Sequence, residues 1–277
     1  MTKQAPVAIA VAPNGGRRTK ADHPAIPLGP KDLGETAAAA RDAGAAMIHV
    51  HVRKPDGTHL LDADAYAAAI AGIAAAVGDR LVIQMTSEAL GVYSPPEQIA
   101  VVKAVKPEAV SLALRELCPT AAEETEFAAF LLWLKANAVV PQFIVYAADE
   151  FARLNALIRR GLVPWQDPPV LFVLGRYTAG QISSPPDLLP FLEPTLHRPG
   201  HWMTCAFGRY EAACATAAAL MGGHVRIGFE NNLYLPDGSL AADNAASVAA
   251  AANALAACGL DLADATELRA AWADLGR

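Results

Sequence analysis

A chain of 277 residues that is 53% apolar and 18% charged can bury one large core, which excludes a disordered polypeptide. Its net charge of −6 offers no basic face to nucleic acid, and the densest cationic cluster, Arg17, Arg18 and Lys20, is too short to form one. Cys118, Cys205, Cys214 and Cys258 lack C-x-x-C spacing, no apolar run reaches the ~18 residues of a membrane span, and the first apolar run is too short for a secretory signal, so a reducing cytoplasm is expected.

Short apolar runs alternate with longer alanine-rich helical patterns along the chain. VAIAVAP (7–13) predicts a first strand, followed by a helix near 31–43. MIHVHVR (47–53) precedes a helix near 62–77, and LVIQMTS (81–87) precedes one near 95–105. AVSLAL (109–114) leads to 121–137, VPQFIVY (140–146) to 148–160, and PVLFVLG (169–175) to 184–193. HWMTCAFG (201–208) leads to 210–221, HVRIGFE (224–230) to 239–257, and 261–275 reads as an extra C-terminal helix. Glycines in AGAA (43–46) and VGDR (77–80) mark helix ends, and Ser94 before Pro95 marks a helix start. Strands this uniformly apolar are buried on both faces, as in a parallel sheet. Eight strand–helix units in a chain of this length predict a closed α/β barrel, (β/α)₈, as a single domain over 1–277. An open doubly wound sheet is the rival, but PNGGRR (13–18) lacks the G-x-G-x-x-G spacing of its first turn.

Catalytic groups of such barrels sit at the C-terminal strand ends. The two-residue strand period places His49, His51 and Arg53 on one face of the second strand, and Arg226, Gly228 and Glu230 on one face of the eighth. Both strands flank the first, so two imidazoles and a carboxylate can converge there as the protein ligands of an open zinc site. An isolated His-x-His is more often accidental; its place at a strand end opposite a carboxylate points to metal. His23, His59 and His197 fall in loops, and His201 and His224 start strands, where a structural role is expected. Thr86, Ser87 and Glu88 end the third strand before a helix N-terminus, a seat for an anion, and Ser111 lies inside the fourth. No G-x-S-x-G elbow accompanies them.

AGAAMIHVHVR (43–53) together with GGHVRIGFENNLYLPDG (222–238) resembles the β-keto acid cleavage enzyme family, with FVLGRY (172–177), the Trp202 strand and VKPEAVSLAL (105–114) also in register. The resemblance implies a zinc-dependent barrel, usually a homotetramer, that transfers CoA from acetyl-CoA to a β-keto acid through a metal-stabilised enolate, giving acetoacetate and a new acyl-CoA. It implies His49, His51 and Glu230 as metal ligands, Ser87 and Ser111 as holders of the substrate carboxylate, and Arg226 as the arginine that assists proton abstraction. Asn231 stands where the family pattern has an aspartate paired with that arginine, and an amide cannot accept a proton. Glu88 is the first replacement base to consider and Asp22 the second, although Glu88 can equally cap a helix and Asp22 organise its loop. Arg115, beside Glu116, is either a seat for a second carboxylate or polar tail of the substrate or half of an exposed salt bridge. The rival functions are an amidohydrolase-type hydrolase, a metal-dependent aldolase or lyase, and a non-catalytic metal scaffold.

Overall fold

Mostly apolar runs, buried over nearly their whole length, form eight parallel strands in the structure, a computed structural model that describes residues 4–197 and 199–273. They are β1 (Val7–Val11), β2 (Met47–Val50), β3 (Val82–Thr86), β4 (Ala109–Ala113), β5 (Val140–Val145), β6 (Val170–Leu174), β7 (Trp202–Ala206) and β8 (His224–Ile227). Each pairs with the next, and β8 returns to β1 with Ala10 opposite Arg226. The sheet is therefore a closed TIM barrel, as expected. The side chains sort into an outer layer against the helices, including Ile9, Ile48, Val110 and Phe172, and an inner layer of Ala8, Met47, Val82, Leu171 and Met203. Leu268 and Trp272, on the helix Ala265–Trp272, join the inner layer and plug the N-terminal end of the barrel. Positions 274 and 275 of the helix expected over 261–275 lie outside the described residues. No helix among the described residues is long and apolar enough to cross a membrane.

Three local differences from the sequence expectation have physical causes. The second strand stops at Val50, because the Asn14 side chain takes the place of a neighbouring strand at His51. Asn14 Nδ2 donates to the His51 carbonyl at 2.9 Å and Asn14 Oδ1 accepts from the His51 N–H at 3.3 Å. Val52–Arg53 then pairs antiparallel with His59–Leu60, so Arg53 leaves the barrel face and His59 sits in a short strand instead of a loop. The eighth strand likewise ends at Ile227, because Gly228 has φ +128 and turns the chain. A Cβ there would lie 2.6 Å from the Ala12 carbonyl oxygen. Glu230 thus comes from a tight turn and not from the strand. The segment 184–193, with Pro190 inside it, winds as a 3₁₀ helix over Pro185–Leu192.

Candidate active site

At the C-terminal mouth of the barrel, His49 and His51 are 1% exposed and Glu230 reaches between them from its turn. Nε2 of each imidazole lies 3.7 Å from Glu230 Oε2, and one ligand atom from each of the three residues falls within 4.8 Å of the others. Neither ring nitrogen of His51 nor Glu230 Oε2 has a hydrogen-bond partner. A buried polar atom left in that state costs about 1–3 kcal/mol, so their convergence is explained by a cation that all three would share. Two imidazole nitrogens and a carboxylate oxygen fit a divalent ion with a vacant coordination position.

The protonation states suit that fit. Burial, followed by the nearby Arg226 charge, pushes His49 down to about 4. Burial, then His49 and His59, push His51 well below its ordinary value, so both rings are neutral near pH 7 and offer lone pairs. His49 Nδ1 donates at 2.7 Å to Gln84 Oε1, which fixes the tautomer and leaves Nε2 facing the mouth. Gln84 is held in turn by a 3.1 Å bond from its Nε2 to Gln142 Oε1. Burial works to raise Glu230, but Arg226 and His49 hold its carboxylate below the ordinary range. Arg226 is 3% exposed, 3.5 Å from Glu230 Oε1 and 3.4 Å from Cys205 Sγ; its Nε and Nη1 are free of partners.

The other residues singled out from the sequence divide into two groups. Thr86, Glu88 and Ser111 line the same cleft as the triad, together with Tyr146, Arg176 and Phe207. Glu88 Oε2 stands 3.7 Å from His51 Nδ1, and burial, reinforced by Glu230 and Glu116, lifts its carboxyl to about 7. Ser87 turns away and donates to the Ser111 carbonyl at 2.8 Å. Asn231 is fully buried, and its Nδ2 turns back to the Arg226 carbonyl at 3.4 Å. Arg115 donates to Glu150 at 2.6 Å and stacks 4.6 Å from the Tyr146 ring and 4.4 Å from that of Tyr177, away from the cleft lining. Asp22 accepts from the Thr19 N–H at 2.7 Å and organises its own loop.

Several supporting residues were not visible from motifs. Arg53 donates to the carbonyls of Asn14, Gly15, Arg18 and Gly57, clamping the loop after β1 over the site. Gly15, at φ +57, packs so closely that a Cβ would lie 2.6 Å from Glu230 Cγ. Glu211 accepts from the Gly228 N–H at 3.0 Å and from Asn232 Nδ2 at 3.3 Å, bracing the turn that carries Glu230. Gln84 alone left a usable signal: a polar side chain at an inward position of an otherwise apolar strand.

Residues 6–273 match the family described as beta-keto acid cleavage enzyme. The 3-keto-5-aminohexanoate cleavage enzyme of Acetoanaerobium sticklandii is 31% identical over 243 residues, covering 85% of this chain and 86% of that one. The 3-oxoadipate:acetyl-CoA acetyltransferase of Cupriavidus necator is 27% identical over 273 residues, covering 96% and 94%. Among solved structures, apo ObcA superposes with a TM-score of 0.70 at 16% identity, over 92% of this chain and 66% of that one, a likeness of fold.

Proposed function

The chain belongs to the beta-keto acid cleavage enzyme family, and on that premise we propose that it exchanges CoA between acetyl-CoA and a β-keto acid, releasing acetoacetate and a new acyl-CoA. The observation that carries this reading is the convergence of ligand atoms from His49, His51 and Glu230, those of His51 and Glu230 without a hydrogen-bond partner, in a cleft that also holds Arg226 and Glu88. Relatives named as transferases that pair a 3-oxo or 3-dehydro substrate with acetyl-CoA support the same chemistry.

A divalent ion held by His49, His51 and Glu230, zinc in this reading, supplies Lewis acidity to the keto acid. The chain's own groups do the rest. The Thr86 and Ser111 hydroxyls orient the carboxylate. Glu88 takes a proton from the carbon between ketone and carboxylate. Arg226, with two free N–H groups, steadies the negative charge that develops. The bond from that carbon to the acetyl carbonyl forms and its bond to the original ketone carbon breaks, while the CoA sulfur passes from acetyl to the departing acyl group. Glu88 returns the proton to the same carbon. Ala113, Ile144, Val173 and Phe207 wall the cleft with apolar surface and keep water from the thioester.

The test is incubation with acetyl-CoA and a panel of β-keto acids. Acetoacetate should appear together with a new acyl-CoA, and Glu88→Gln should abolish turnover while metal stays bound. Release of a free acid without thioester exchange would replace this reading with a hydrolase or lyase.

A further inference from the structure

One cation in the cleft has no task in the reaction above. Arg176 follows β6 through Gly175, whose φ of +76 and crowding against the Ile182 carbonyl (2.9 Å from an added Cβ) make a sharp turn into the mouth. The guanidinium is half-buried, 5.3 Å from the centre of the Phe207 ring and 5.6 Å from that of Tyr177. It lines both the cleft of the triad and the adjoining outer cleft of residues 14–18. Arg18, Arg53 and Arg115 are each committed to protein acceptors, and Arg17 is exposed and lines the outer cleft but not that of the triad. The Arg176 guanidinium makes no hydrogen bond and no ion pair among the described residues. A planar fork of N–H donors, steadied on an aromatic face and open at its edges, matches a carboxylate in bidentate geometry.

We propose that Arg176 is a specificity subsite for a second carboxylate at the far end of the β-keto acid, so that the preferred substrate is a 3-oxo dicarboxylic acid. The proposal rests on the reaction proposed above. An anion that meets Arg176 while the keto acid end lies on the triad belongs to one small molecule, whereas the phosphates of CoA lie beyond the whole pantetheine arm. The acidic neighbours Glu88, Glu116 and Glu230 do not make this a site for a cationic tail, and Glu230 is turned to the two imidazoles. Glu88 is turned to His51 at 3.7 Å, and Glu116 accepts from the Ala89 N–H at 2.9 Å.

The metal-loaded enzyme is assayed with acetyl-CoA and two β-keto acids of equal chain length, one ending in a carboxylate and the other in a methyl group, and both acids are also titrated calorimetrically. Wild type should favour the dicarboxylate in kcat/KM by roughly 10- to 100-fold, the worth of a charge-assisted pair. Arg176→Met should erase most of that preference, and Arg176→Lys should keep part of it. An unchanged preference in Arg176→Met, no preference in wild type, or an effect confined to KM for acetyl-CoA overturns the subsite. If neither acid is turned over, the reaction proposed above fails while calorimetry still decides the subsite. Tighter binding of the dicarboxylate to wild type than to Arg176→Met supports it, and equal binding overturns it.

Discussion

On the proposed reading, in which His49 holds a metal ion, replacing Gln84 by leucine tests how the barrel interior prepares that imidazole. Gln84 is fully buried, stands opposite His49 in the β2–β3 register, accepts from His49 Nδ1 at 2.7 Å and donates to Gln142 at 3.1 Å. Leucine is similar in size, so the loss is polar and not a cavity. Two buried groups, the His49 N–H and the Gln142 side-chain carbonyl, are left without partners. At about 1–3 kcal/mol for each, the metal-free protein should lose about 2–6 kcal/mol of stability. At roughly 2–4 °C per kcal/mol for a domain of this size, Tm should fall by about 4–24 °C. The unanchored ring can also rotate or take its other tautomer, so zinc affinity should drop roughly 10- to 100-fold. Competition titration against a chelator measures the affinity, and circular dichroism melts of metal-free protein measure the stability. A lower Tm with unchanged zinc affinity would show that Gln84 only satisfies the core, and the orientation argument would fail.

Gly15→Ala should weaken zinc binding by roughly tenfold, because the new Cβ collides with Glu230 Cγ and φ +57 is strained by about 1–2 kcal/mol for alanine; wild-type affinity in a competition titration would contradict it. Arg53→Met strips the donor from four loop carbonyls and should destabilise the protein by about 3–5 kcal/mol, with faster proteolysis within residues 14–18 as the local readout. Burial lifts the Glu211 carboxyl from its ordinary 4.5 to about 8, against the opposing bonds from Gly228 and Asn232. The unfolded chain therefore ionises first, and the stability Glu211 contributes is whole below about 4.5 and lost as pH rises towards about 8. The stability of wild type relative to Glu211→Gln should fall across that window in chemical denaturation, and a constant difference would refute the assignment.

The barrel was legible because strands buried on both faces read as short, predominantly apolar runs, and eight of them in one chain of this length close. Strand ends were less legible, for a tertiary reason. The alternating pattern of MIHVHVR runs straight through His51, and only the folded chain brings Asn14 beside it to end the pairing. The turn at Gly228 hid in the same way behind the strand-like HVRIGFE. The triad itself was accessible from residue type and strand-end position, since both are local. What braces it was not. Nothing in the helix sequence EAACATAAAL marks its first residue, Glu211, as the acceptor for Gly228, and Arg53 looked like a third member of the His49 face until the hairpin turned it to the loop carbonyls. Arg176 followed a recognisable strand, but its lack of a partner is a property of the packed mouth and not of FVLGRY.

The most direct test is the metal content of purified protein by mass spectrometry, for wild type, His49→Ala and Glu230→Ala. Three ligands from one chain predict about one zinc per chain in wild type and little in either variant, both variants remaining folded by circular dichroism. Metal-replete wild type with no bound ion, or variants that keep their full zinc complement, would contradict the account.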